Sequence, residues 1–234
     1  MVRFDFNDPA TFKEADNAEG VFLMEPPALD PTSYDLAVPF LHYLISTNGP
    51  PLVYLSSHGM ETLLSIPFHA RMEERIKQSV LRWHIVRPSF FMQGFGVYER
   101  ENIEQRKIIF LPAGSGKNAF VSTVDVGDAV ACLLMQPRPA QISVLTGAQA
   151  YTHYDVADKL SKVRGEKITY LDPDEVTYRK VLTEANVPEV VADYIIPLYQ
   201  VIKEGKVEKP TDDLKQIIRR EPESLDTVLE RDFS

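Results

Sequence analysis

The chain has one cysteine, Cys132, so no disulfide can form within it and a reducing compartment is the default. Cys132 lies in the apolar stretch Ala129 to Leu134, where it is expected to be a small buried hydrophobe rather than a nucleophile. No run of about 18 apolar residues occurs, so no helical membrane span is expected. The first residues, Met1-Val2-Arg3-Phe4-Asp5, lack the basic and apolar regions of a secretory signal, and a cytoplasmic protein is expected. There is no basic excess. Against 34 Asp and Glu stand 25 Lys and Arg, a net charge of −9, which argues against nucleic acid because phosphates need a basic face. Internal repeats and low-complexity segments are absent. His42, His84 and His153 are scattered, with no carboxylate or cysteine at metal spacing, so no metal is expected. Gly114-Ser115-Gly116-Lys117 lacks the leading glycine of a phosphate loop and is followed by Asn118, so it reads as a plain turn.

What is present is a packed soluble composition, 44% hydrophobic and 25% charged, in 234 residues. In the first half, strand-like and helix-like stretches alternate. Val2 to Phe6 is a strand candidate, and Asp8-Pro9 opens a short helix with a cap residue followed by a first-turn proline. Val21 to Met24, Leu52 to Leu55 and Trp83 to Val86 are compact apolar strands. Between them, Thr32 or Ser33 caps a helix running to about Thr47, and Pro67 to about Leu81 is a charged amphipathic helix. Further on, Lys107 to Leu111 and Phe120 to Val124 read as strands around the glycine turn. Asp125 to Met135 reads as helix and Gln141 to Leu145 as strand. Thr152 caps a helix that Gly165 ends, Lys167 to Leu171 is a strand, and helices follow, with Ser224 capping the last.

This alternation predicts an α/β fold, a truncated Rossmann-like parallel sheet flanked by helices (1–136), with a smaller, mostly helical C-terminal satellite (137–234) closing over it. Ligands in such sheets bind at the carboxyl ends of the strands. That selects the loops at Glu25-Pro26-Pro27, Ser56-Ser57-His58-Gly59 and Pro88 to Gln93.

Several segments carry a resemblance. They are Val2 to Pro9 with Gly20 to Met24, Leu52 to His58, His84-Ile85-Val86-Arg87-Pro88-Ser89-Phe90-Phe91-Met92, and Phe120-Val121-Ser122-Thr123-Val124-Asp125-Val126-Gly127-Asp128. In order and spacing they resemble the NmrA-like atypical short-chain dehydrogenases. Tyr154 to Ala157 and Lys167 to Tyr170 are most similar to the festuclavine synthase and agroclavine dehydrogenase branch. The resemblance implies an extended Rossmann fold binding a nicotinamide dinucleotide, with the region of Phe90 to Tyr98 lining the substrate pocket. Two departures matter. The family's opening strand, Gly-x-x-Gly-x-x-Gly turn and helix have no counterpart here, and those glycines let the backbone approach the pyrophosphate. The helix after the Leu52 strand carries Phe68 to Arg75 in place of a Tyr-x-x-x-Lys pair. In the usual strand order, the strands without counterpart lie between Val2–Phe6 and Val21–Met24. Either those two strands come together or an edge stays bare, and a homodimer covering that edge is expected.

Five residues are catalytic candidates. Ser57 and His58 end a buried strand at the ligand face, where a hydroxyl or imidazole can bond a substrate oxygen or move a proton; the plain alternative is a cap. Glu25, with Asp30 a weaker parallel, is a carboxylate at a strand end before a rigid Pro-Pro, open to desolvation; the alternative is a solvated loop acid. His69 and Glu73 stand four apart on one helix face, where a carboxylate raises and orients an imidazole; the alternative is an exposed ion pair. Phe90, Phe91, Met92, Gln93, Phe95 and Tyr98, with Tyr194 and Tyr199 from the satellite, are the substrate-binding candidates, suited to a flat apolar ligand. A retained pocket beside a missing cradle leads to the expectation of a cofactor-independent isomerase, cyclase or dehydratase acting on a small apolar natural-product intermediate. The alternatives are an NAD(P)H-dependent reductase with NADP as cofactor, and a non-catalytic regulator.

Overall fold

The computed structural model describes residues 3–25, 35–59 and 68–234. A 3-10 helix, Pro9–Ala15, precedes β1 (Val21–Met24), α1 (Val38–Thr47), β2 (Leu52–Leu55), α2 (Phe68–Lys77), β3 (Trp83–Pro88) and α3 (Gly94–Val97). Then come β4 (Ile108–Phe110), α4 (Thr123–Met135), β5 (Gln141–Leu145), α5 (His153–Arg164), β6 (Thr169–Leu171), α6 (Glu175–Glu184), α7 (Glu189–Lys203), α8 (Asp213–Ile218) and α9 (Leu225–Phe233). Four strands form one parallel sheet in the order β1-β2-β3-β5, and β4 pairs with β6, also parallel, in a small second sheet. No described helix is long and apolar enough to cross a membrane.

The central strands β2 and β3 are short, apolar and buried on both faces, as parallel strands under helices must be. Side chains along the sheet alternate. Leu23, Leu52, Tyr54 and Ile85 pack with the 3-10 helix, α1 and α2, whereas Val53 and Val86 pack with α4 and α8. Each fully buried aliphatic side chain of this kind stabilises the fold by about 1.5–3 kcal/mol. Local chemistry sets the helix ends. Asp8 caps the 3-10 helix through the N–H of Ala10, with Pro9 in its first turn. Thr152 and Asp155 form a reciprocal capping box on α5, Gly165 takes the left-handed conformation that ends it, and Ser224 caps α9.

The two edges of the sheet differ. On the outer side of β5, Asp213 Oδ2 accepts the N–H of Val144 at 2.8 Å, and the Thr211 hydroxyl donates to the Val144 carbonyl. On the outer side of β1 no described strand pairs. The N–H of Val21 donates to the Pro51 carbonyl at 2.8 Å. Parallel ladder geometry then aims the main-chain groups of Val21 and Leu23 at β2 and those of Phe22 and Met24 outward. The side chains of Phe22 and Met24 are exposed as well, at 41% and 54%.

Three expectations are corrected. Residues 3–6 form no strand. Phe4 and Phe6 pack instead on Phe40 of α1, with ring centroids 4.7 and 6.1 Å from it, so a strand with no neighbour to pair with gives way to an aromatic cluster. Phe120 to Val124 holds only an isolated bridge, Phe91 to Val121, because Ser122 already caps α4. Cys132 is exposed, on the solvent side of α4. The expected cap at Thr32 or Ser33 and the acid Asp30 lie outside the described residues.

Candidate active site

The carboxyl ends of β1, β2 and β3 bring Glu25, Ser56-Ser57-His58 and Ser89-Phe90 to one end of the sheet. The β2 loop is pinned there: the N–H of Ser56 donates to the Val86 carbonyl at 2.8 Å, and that of His58 to the Pro88 carbonyl at 2.9 Å. Gly59 follows at φ +84°, and a Cβ on it would stand 2.5 Å from Val201 of α7. The loop therefore runs tight against the helical part, and only glycine fits the approach.

Beneath these loops lies a polar layer between β2, β3 and α2. Glu73, 1% exposed, accepts from Ser56 Oγ at 2.7 Å, from Lys77 Nζ at 2.9 Å, and from Arg87 Nε and Nη2 at 2.8 and 2.6 Å. Burial alone would push this carboxyl up, but the bonds from Arg87, Lys77 and Ser56 outweigh it and hold its pKa down at about 2. His69 is near it in sequence but does not pair with it. Its Nδ1 shares a hydrogen bond of 2.9 Å with the Tyr54 hydroxyl, and burial lowers its pKa to about 4 against a smaller upward pull from Glu73. Glu73 thus raises the imidazole as expected, but burial outweighs it, and the ring is oriented by Tyr54 rather than by Glu73.

Glu25 is the opposite case. Both its carboxyl oxygens are buried and neither has a hydrogen-bond partner. Desolvation raises its pKa to about 7, helped by the charge of Asp35 and opposed by Arg75, which is itself ion-paired to Asp35 at 3.9 Å.

The aromatic candidates divide. Phe90 stacks on Tyr199 of α7 at 6.4 Å, and Tyr199 meets Tyr178 edge-on at 5.8 Å. Tyr194 faces Phe68 at 6.1 Å. Phe90, Tyr199 and Tyr194 therefore stand between the sheet and α7. Met92 and Phe95 are buried in the core instead, where Phe95 packs on Phe120 and His153. Gln93 holds the start of α4, accepting the N–H of Thr123 at 2.9 Å. Phe91 is 37% and Tyr98 83% exposed. Two shallow clefts, one along Lys117, Gly205 and Lys209 and one along Thr211, Lys215 and Glu221, include none of the candidates. Among the described residues no group of three His, Cys, Asp or Glu is placed to hold a metal.

Sequence reasoning missed Tyr54, Ser56 and Arg87. Arg87 carried a signal, a lone cation inside a buried apolar strand, which demands a partner. Tyr54 carried a weaker one, a phenol at an inward strand position.

No family model matches the chain. Prestalk A differentiation protein A of Dictyostelium discoideum is 27% identical over all of this chain and 77% of that protein. Agroclavine dehydrogenase of Claviceps fusiformis is 29% identical over 94% of this chain and 78% of that enzyme. Among solved structures, NADPH-dependent quinone oxidoreductase QOR2 of Escherichia coli, complexed with NADPH, superposes with a TM-score of 0.89, covering 99% of this chain and 83% of that one at 18% identity. These findings overturn two expectations, a cofactor-independent isomerase, cyclase or dehydratase and the absence of a cofactor, since the relatives include dehydrogenases and the structural neighbour binds NADPH. They bear out the resemblance read in the sequence: the chain is similar to agroclavine dehydrogenase along most of its length, and its fold is a Rossmann-like parallel sheet.

Proposed function

We propose that this chain forms the sheet and substrate side of an NAD(P)H-dependent reductase. One observation carries the reading: the chain aligns over nearly all of its length with an NADPH-bound oxidoreductase, and ligands of such sheets bind beyond the carboxyl ends of the strands, which Glu25, Ser57, His58 and Phe90 follow. Relatives with dehydrogenase activity point the same way.

The residues present do not fit the whole dinucleotide. The sequence contains no Gly-x-x-Gly-x-x-Gly turn, and on the outer side of β1, where a strand carrying such a turn would lie, no described strand pairs. The pyrophosphate would need groups that these residues do not supply. What the chain offers is a substrate end with a flat aromatic wall, Phe90 on Tyr199, suited to a planar acceptor. Quinones are the acceptor class to try first, because the structural neighbour is a quinone oxidoreductase.

Titration with NADPH, followed by the fluorescence of Trp83 and of the reduced nicotinamide, tests the reading. Micromolar binding together with menadione-dependent oxidation of NADPH supports it. No menadione-dependent oxidation at millimolar NADPH overturns it.

A further inference from the structure

Several buried polar side chains elsewhere are bonded into the fold, although His84, Asn118, Asp125 and His153 each leave one buried atom without a hydrogen bond. Ser89 donates to Asn118 at 2.6 Å, His84 shares a 3.0 Å bond with Ser143, and Asp125 pairs with Arg220 at 2.6 Å. Glu25 is different in kind. It lies one residue beyond β1, at the end of the sheet where Ser57 and His58 lie. The strand's alternation turns it to the same face as Leu23, toward Tyr54 and α2. Both carboxyl oxygens are buried without a partner, although a buried carboxyl left bare costs the full desolvation of its polar atoms. The charged groups facing it are Asp35 and Arg75, which pair with each other, and the Tyr54 phenol, which is bonded to His69. A group so placed and so unsatisfied suits a ligand that completes it.

We infer that Glu25 is a specificity-determining residue that stays protonated and donates its O–H to a neutral carbonyl of a planar ligand bound at the carboxyl ends of β1 and β2. This deepens the reductase reading by naming the ligand class, a flat neutral carbonyl compound. The carboxylic acid supplies one donor, and its second oxygen can accept an N–H or O–H next to that carbonyl. An ionised Glu25 has only acceptors and repels a carbonyl oxygen. Desolvation keeps the acid form in place up to about pH 7. An anionic ligand can accept the same O–H, but it loses far more solvation on entering a buried site beside Asp35, so the site favours neutral ligands.

The test is menadione binding to the whole chain without cofactor, measured calorimetrically from pH 5.5 to 9. Affinity is expected to be flat below about pH 7 and to fall about tenfold per unit above it, because deprotonation removes the donor. Glu25→Gln keeps an N–H donor that does not titrate, and its binding should be flat throughout. Glu25→Ala should bind roughly tenfold more weakly at pH 6, the loss of about one hydrogen bond, also without pH dependence. In parallel, the carboxyl carbon of labelled Glu25, assigned by its loss in Glu25→Gln, should titrate near 7 and shift on adding menadione. Binding that stays pH-independent in the unsubstituted chain, or a Glu25 signal that menadione does not move, overturns the inference. The binding arm needs no NADPH. Failure to oxidise NADPH would sink the reductase reading and leave this inference to be judged alone.

Discussion

Two carboxyl side chains, Glu73 on α2 and Glu25 just beyond β1, both act on Tyr54 and meet opposite fates. Glu73 collects four hydrogen bonds from Ser56, Lys77 and Arg87 and is held ionised. Glu25 collects none and is held near neutrality. Burial pushes both the same way, so burial alone does not decide a buried acid's charge. The donors within reach decide it. One acid therefore works as a structural anion tying α2 to β3, and the other remains chemically open at the ligand end.

The contrast can be broken most forcefully at Arg87. Arg87→Leu would leave Glu73 buried beside Lys77 alone, and the loss of one member of a buried pair typically costs 3–5 kcal/mol. Urea denaturation at pH 7 measures it, and a loss below about 1 kcal/mol would mean that Lys77 and Ser56 suffice. Acid gives the next largest effect. Burial lowers the pKa of His69 to about 4 and that of His153 to about 3. The unfolded chain therefore binds more protons below about 6.5, so stability from these rings is complete above that pH and falls as pH drops toward their folded values. Between pH 6.5 and 5.5 each should cost about 1 kcal/mol, and His84, lowered to about 4, acts in the same sense. Thermal melts across that window check it, and the separate loss from Glu73 should begin only below about 4.5.

Glu25 should behave with the opposite sign. Its folded pKa is raised, so its contribution is complete below about 4.5 and is lost as pH rises through 7. Glu25→Gln should therefore stabilise the chain at pH 8, by roughly 1–2 kcal/mol once its partial contact with solvent is allowed for, and hardly at all at pH 5. Comparing the melts of the two chains at both pH values decides it. The smallest effect on folding is expected at the open edge. Phe22→Glu with Met24→Lys, both at exposed positions, should change stability by less than about 0.5 kcal/mol. Light scattering at micromolar concentration tests the proposed pairing of two copies through β1. A dimer that these substitutions dissolve supports the pairing, and a monomer before substitution removes it.

Much of the fold was legible because its signals are local. Buried strands read as apolar runs, and the caps at Asp8, Thr152 and Ser224 act on N–H groups two or three residues away. Val2 to Phe6 failed as a strand because an extended segment becomes one only beside a partner, and its phenylalanines found Phe40 instead. Topology alone picked out the strand ends, and the structure has Glu25 and His58 just beyond β1 and β2. It misassigned the partner of His69, because helix spacing shows which residues share a face and not which cation reaches across from the next strand. Arg87 arrives from β3 and takes Glu73, leaving His69 to Tyr54. Met92 and Phe95 belong to an aromatic-rich run that looks uniform in sequence, yet the turn into α3 sends them inward and Tyr98 out to solvent.

A parallel sheet closed on one side by Asp213 and Thr211, with no described strand beyond β1 on the other, can be extended among the described residues only past β1. Any strand that joins it must approach Phe22 and Met24, and the order of assembly is set before a partner arrives. The same opening is a liability while the chain is being made, since the template is presented as soon as β1 and β2 pair. Charge or a covering segment at that edge would decide whether the protein stays dispersed or grows by stacking sheet upon sheet.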